Sequence, residues 1–104
     1  MFPPMIIIAG TISFDPAKRE ALETGFAAMQ AETLQEAGCG SYEIYNSRTE
    51  AGTVLIFEKW ESEEALAAHM VSPHMAAFGG VMGAIGITGI DINKYSGATE
   101  GPLR

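Results

Sequence analysis

An α+β fold, a ferredoxin-like split βαβ sandwich with one four-stranded antiparallel sheet, is predicted by three features of the sequence. Apolar, β-branched runs occur near the start, in the middle and near the end of the chain. Two stretches with apolar residues three or four apart lie between them. Cap and turn residues then divide the chain in the order strand, helix, strand, strand, helix, strand.

Met5 to Phe14 reads as the first strand. Ile6, Ile7 and Ile8 are consecutive, which predicts apolar side chains on both faces. Asp15-Pro16 starts a helix, because Asp15 can cap it and Pro16 suits a first position that needs no N–H. This helix is expected to run to about Ala37. Leu22, Phe26, Met29 and Thr33, with Gly25 beside them, form its apolar stripe. Gly38-Cys39-Gly40 stops it, since glycine tolerates the left-handed cap. Ser41 to Arg48 and Thr53 to Trp60 read as strands joined by a hairpin at Thr49 to Gly52. Val54, Leu55, Ile56 and Phe57 again look apolar on both faces. Ser62 caps a second helix with Glu63 and Glu64 in its first turn, where the helix dipole favours anions. Ala65, Leu66, His69 and Met70 are expected on one side of it. Ser72-Pro73 ends it, a short helix carries His74 to Phe78, and Gly79 to Gly83 reads as a loose connection. Ile85 to Tyr95 is the last strand. The apolar parity switches between Ile87 and Ile90, which predicts a bulge near Gly89.

Two helices can cover only one face of such a sheet, yet the first and third strands offer apolar side chains to both. A second copy packed sheet against sheet is the expected cover, with two-fold symmetry. The 104 residues are expected to form a single domain over 1–104, with its core in 5–95 and a polar tail at 96–104.

Apolar residues make up 47% of the chain, which excludes disorder, and charged residues only 18%, which suits a partly covered surface. The net charge is −7 and the six basic residues form no run, so neither nucleic acid nor an anionic membrane is an expected partner. One cysteine, Cys39, allows no intrachain disulfide. The apolar run at the start is short, lacks a preceding basic residue and is interrupted by Pro3 and Pro4. No signal or spanning segment is therefore expected, and the predicted location is cytoplasmic.

His69, on the apolar side of the second helix, is the candidate acid or base; its ordinary role there would be a half-buried core histidine. A His69–His74 metal pair is not expected. Residues five apart on an ideal helix point about 140° from each other, Pro73 interrupts the helix, and His-Glu-x-x-His is absent. Trp60 could stack on a flat ligand or be core. Tyr42 and Tyr45 point to opposite faces of their strand, so one can line a pocket while the other faces a partner. Glu58 shares the parity of Trp60, Ile56 and Val54 and is expected to be partly buried in an ion pair. Cys39 has no basic neighbour to activate it. The glycines at 79, 80, 83, 86 and 89 match no phosphate-binding pattern.

The stretch Phe57-Glu58-Lys59-Trp60-Glu61-Ser62-Glu63-Glu64-Ala65-Leu66-Ala67-Ala68-His69, followed by Ser72-Pro73-His74 and Phe78, resembles the antibiotic biosynthesis monooxygenase (ABM) domain family. That family shows Glu-x-Trp near the end of the third strand, then Ala-x-x-x-His, Ser-x-His and a Phe. The element order agrees over roughly Met5 to Tyr95. The resemblance implies a homodimer whose sheets close into a β-barrel, and a pocket in each subunit between helices and sheet. It also implies oxygenation of a small aromatic, a phenol, quinol or anthrone, by dioxygen with no metal or flavin. Haem-degrading relatives carry an Asn in the first strand and a ligating His after the second helix. Here the first strand reads Ala9-Gly10-Thr11-Ile12-Ser13, and Gly79 falls near that His, so haem degradation is not expected.

On this reading His69 orients or deprotonates the substrate hydroxyl. Trp60 and Phe78 are apolar walls, His74 and Tyr42 complete the substrate site, and no cofactor is needed. The competing readings are a non-catalytic dimer that binds small aromatics, which would bind without consuming oxygen, and an isomerase or lyase of the wider dimeric α/β barrel superfamily that the resemblance implies, which would turn over without it.

Overall fold

In the computed structural model, which describes residues 4–104, strand β1 (Met5–Phe14) leads through a 3-10 turn (Pro16–Lys18) into helix α1 (Arg19–Thr33). Strands β2 (Cys39–Asn46) and β3 (Thr53–Trp60) follow, then helices α2 (Glu63–Met70) and α3 (Pro73–Ile85) and strand β4 (Ile87–Ala98). The sheet order is β2-β3-β1-β4, with every neighbouring pair antiparallel. This is the predicted α+β, ferredoxin-like arrangement. Pro3, one of the two prolines read as interrupting the first apolar run, lies outside the described residues. Among the described residues, no helix is long and apolar enough to cross a membrane.

The even-numbered residues of β1 and β3 face the helices. Ile6, Ile12, Phe14, Val54, Ile56 and Trp60 are all buried there. Leu22, Phe26, Met29 and Thr33 of α1 are buried as the stripe predicts. The opposite sheet face carries Ile7, Ala9 and Phe57, half-buried, with Leu55, Tyr45 and Tyr95 exposed. No helix covers it.

Several boundaries differ from the sequence reading. The first helix stops at Thr33, and turns carry the chain to Gly38, whose φ of +85° supplies the left-handed step. The second strand begins earlier, at Cys39, and ends at Asn46. The supposed loose connection at Gly79–Gly83 is helical: α3 runs without interruption to Ile85 and ends at Gly86, which adopts the left-handed cap at φ 78°. Glycine weakens an isolated helix by about 1 kcal/mol per residue, but packing against α1 outweighs this. The Phe26 and Phe78 rings pack against each other, tilted by 41°, with centroids 4.6 Å apart. A Cβ on Gly25 would come within 2.8 Å of Val81 Cγ1, so Gly25 permits the close approach of the two helices. Ile85 therefore caps the core from α3 instead of starting the last strand. That strand extends to Ala98, into what reads as a polar tail. The β1–β4 register shifts between Ser13↔Gly89 and Phe14↔Ile87, the irregularity expected near Gly89.

Gly10 sets how closely β1 and β4 can approach. A Cβ there would lie 2.0 Å from the Asp91 carbonyl oxygen and 2.5 Å from Ile92 Cα. Backbone cannot move aside cheaply, so Gly10→Ala is expected to destabilise the domain by at least about 1–3 kcal/mol. Urea unfolding checks this; an unchanged midpoint would refute the close approach.

Candidate functional site

Three segments distant in sequence converge under the helices. Trp60 ends β3 and is fully buried. Its Nε1–H donates to Glu58 Oε1 at 2.9 Å, two residues back on the same face. The His69 ring stands 4.7 Å from the Trp60 ring, centroid to centroid, and 6.0 Å from that of Tyr42. His69 occupies the last turn of α2, a helix started by Ser62, whose hydroxyl accepts from Ala65 N–H. Its side chain is 2% exposed, and Nδ1 lies 2.9 Å from Glu36 Oε1. The same carboxylate oxygen is hydrogen-bonded to His74 Nε2.

Glu36 sits in the turn after α1, anchored by its own N–H to the Thr33 carbonyl and by its carbonyl to Cys39 N–H. The two histidines meet because the helix breaks between them. Ser72 donates its hydroxyl and its N–H to the His69 carbonyl, and the same hydroxyl accepts from Met75 N–H at the start of α3. This corrects the expectation that His69 and His74 diverge. The 140° estimate holds for one continuous helix, whereas Ser72-Pro73 redirects the chain and brings the rings to 5.9 Å.

A cavity of about 170 Å³ opens beside His69, between the sheet and helices α2 and α3. Tyr42, Phe78, Met75, Ile56 and Ile92 line it, with Glu58 at its polar end. Of the residues singled out in the sequence, His69, Tyr42 and Phe78 thus share one cavity. Trp60 does not line it. It packs behind His69 with no exposed surface, so its place is in the core and not as a wall. His74 is likewise absent from the lining and faces Glu36. Tyr45 lies on the uncovered sheet face, opposite to Tyr42, as the strand parity predicts.

Glu36 carries no local signal in the sequence. It is 33 residues from His69, and only the ferredoxin-like topology brings them together. Glu58 is buried as expected, but its partner is the Trp60 indole and no ion pair forms among the described residues. Burial pushes the Glu58 carboxyl above its ordinary range, against the opposing pull of the Trp60 N–H and His69. Burial also pushes the Tyr42 phenol up, and the Cys39 thiol, which suits an unreactive cysteine.

The family model for antibiotic biosynthesis monooxygenases matches residues 5–80. The chain belongs to that family. A Mycobacterium tuberculosis relative, named "Putative monooxygenase Rv0793", is 38% identical over 74 residues, 71% of each chain. An uncharacterised Synechocystis protein is 33% identical over 73 residues, 70% of this chain; the match spans half of that relative's length. The crystal structure of a Caulobacter crescentus protein described as a putative antibiotic biosynthesis monooxygenase superposes with a TM-score of 0.86 at 31% identity, covering 95% of this chain and 93% of that one. The residues on which the resemblance rested, Glu58, Trp60, His69, His74 and Phe78, form one physical cluster here: a buried Glu–Trp pair, a histidine against it, a second histidine sharing a carboxylate, and a phenylalanine across the cavity.

The raised Glu58 pKa makes a prediction for this ABM domain. The folded state binds the Glu58 proton more tightly than the unfolded chain, whose carboxyl titrates near its ordinary value of 4.5. Stability from this group is therefore present below that value and falls as pH rises through the window up to the folded pKa. Glu58→Gln keeps an acceptor for Trp60 and removes the titration. Relative to wild type it is expected to gain stability as pH rises from 4.5. Thermal unfolding at pH 4, 5, 6 and 7 reads the difference; a constant offset would contradict it.

Proposed function

We propose that the protein is a monooxygenase that oxidises a small phenol, quinol or anthrone with dioxygen, using His69 as the base. The observation that carries this reading is a buried imidazole held at Nδ1 by Glu36 while its ring lines an apolar cavity. A neutral His69 that donates Nδ1–H to Glu36 keeps its Nε2 lone pair for substrate. The cavity is smaller than the about 300–1,000 Å³ of drug-sized sites, which favours a compact aromatic. Its apolar lining favours the neutral, flat substrate that enters it.

An unperturbed phenol titrates near 10, so ionising it near neutrality needs a positioned base. The substrate hydroxyl proton, or for an anthrone a proton of the methylene carbon opposite its carbonyl, passes to His69 Nε2, and the imidazolium that forms is stabilised by Glu36 on its other side. The substrate anion gives one electron to dioxygen. Superoxide and the substrate radical recombine through a new C–O bond, and the peroxide anion takes the proton back from the His69 imidazolium to give a hydroperoxide. Loss of the carbon-bound proton with O–O cleavage then releases water and leaves the quinone. For an anthrone, one dioxygen supplies the quinone oxygen and the water oxygen. Substrate carbon is oxidised, dioxygen is reduced, and the protein contributes orientation and proton transfer.

The test is oxygen uptake by chelator-treated protein with anthrone and reduced naphthoquinone, with uncatalysed autoxidation subtracted. Catalysed uptake in proportion to protein is expected. Tight binding without uptake would instead indicate a binding dimer, and turnover without uptake an isomerase or lyase.

The proposal includes a homodimer. The uncovered sheet face presents Leu55, Phe57, Tyr45, Ile7 and Tyr95 together, and burying it against a second copy gives the closed assembly. Sedimentation equilibrium is expected to report a dimer for wild type and a weakened one for Leu55→Glu, which places a charge at the centre of that face. A wild-type monomer at micromolar concentration would overturn it.

A further inference from the structure

We propose that Glu36, His69 and His74 form a binding site for one borderline divalent transition-metal ion, of the Zn²⁺ and Co²⁺ class. Both imidazole nitrogens converge on Glu36 Oε1, and the three potential ligand atoms lie within 4.8 Å of one another. Metal–nitrogen and metal–carboxylate bonds run at about 2.0–2.2 Å, so a cation can reach all three after modest side-chain rotation. The side chains that would rotate are the accessible ones: Glu36 is 16% and His74 18% exposed, whereas His69 is 2% exposed. His69 is fixed against Trp60 and supplies the rigid ligand. The other two form the path by which an ion enters.

The donor set selects the ion. Two imidazoles and one carboxylate suit zinc, cobalt, nickel and ferrous iron, while magnesium and calcium require mostly oxygen ligands. Three protein ligands leave a position for water, the pattern of an open site and not of a closed structural one. Glu36 Oε2 makes no hydrogen bond to a described residue and is available as a further donor. The site lies on the Glu36 side of His69, and neither Glu36 nor His74 lines the cavity. The ion would hold Nδ1, which leaves the imidazole proton on Nε2, toward the cavity. That would convert His69 from a base into a hydrogen-bond donor, a consequence that rests on the functional reading above.

Untagged, chelator-stripped protein titrated with Zn²⁺ by calorimetry tests the site directly, with Co²⁺ visible absorption as a report on coordination. One Zn²⁺ per chain is expected, and Co²⁺ should develop ligand-field bands. Glu36→Gln and His74→Ala should each weaken binding at least tenfold and abolish those bands, while circular dichroism shows both folded. His74 is partly exposed, so its variant keeps the test open should Glu36→Gln unfold. Absence of saturable binding by wild type, or equal binding by both variants, would overturn the proposal. Zn²⁺ bound at this site should also suppress oxygen uptake. Binding with unaltered uptake would leave the metal site standing and contradict the base role of His69.

Discussion

His69→Ala is expected to lower kcat for quinol or anthrone oxidation by about 10²–10⁴-fold, the range for loss of a positioned general base. The effect should fall on kcat more than on KM, because the apolar lining that holds the substrate is otherwise unchanged. The variant opens space beside Trp60 and leaves Glu36 with His74 as its remaining described partner. Some stability is therefore lost, and the measurement needs a circular dichroism spectrum and a melting curve to establish that the variant is folded. A folded His69→Ala protein with wild-type turnover would remove His69 from the chemistry and leave the cavity as a binding site alone.

The largest expected effect on stability belongs to Trp60. It is the largest fully buried side chain and it supplies the donor that satisfies Glu58. Trp60→Ala should cost about 3–5 kcal/mol from cavity formation. Losing the donor to a buried carboxyl adds about 1–3 kcal/mol. Domains of this kind are stable by only about 5–15 kcal/mol, so the variant should be close to unfolding at room temperature. Trp60→Phe separates the two contributions. It keeps most of the packing and loses the N–H, so it should show chiefly the second cost. It should also push the Glu58 carboxyl further up, because the Trp60 hydrogen bond is among the influences that lower it. Urea unfolding of both variants checks the account, and changes below about 1 kcal/mol in both would contradict it.

The strands that could be read correctly are those whose residues allow one interpretation. β1 and β3 combine β-branched runs with turn residues at each end, and their bounds agree with the structure at both ends. α3 was not legible at its glycines. Gly79, Gly80 and Gly83 weaken local helix preference, while the packing of Phe78 and Val81 on α1, which overrides it, is a tertiary fact. The site divides in the same way. His69 lies on the face that helical periodicity predicts; strand parity separates Tyr42 from Tyr45 without choosing between them, Phe78 enters with the family resemblance, and the three share a cavity. Trp60 has the right face but sits too deep, because β3 is central in the sheet and α2 packs over its end. Glu36 was invisible, since a glutamate in a helix-ending turn looks like any solvated one until the topology delivers it to two histidines. Those histidines in turn defied the ideal-helix argument at the one point, Ser72-Pro73, where the helix is not ideal.

Anthrone oxidation under ¹⁸O₂ by chelator-treated protein tests most directly whether the substrate's own electrons reduce dioxygen in this cavity. The account predicts anthraquinone carrying one heavy oxygen, formed at a rate proportional to protein and strongly reduced in His69→Ala. Unlabelled quinone, or a labelling rate no greater than that of the protein-free control, would contradict it.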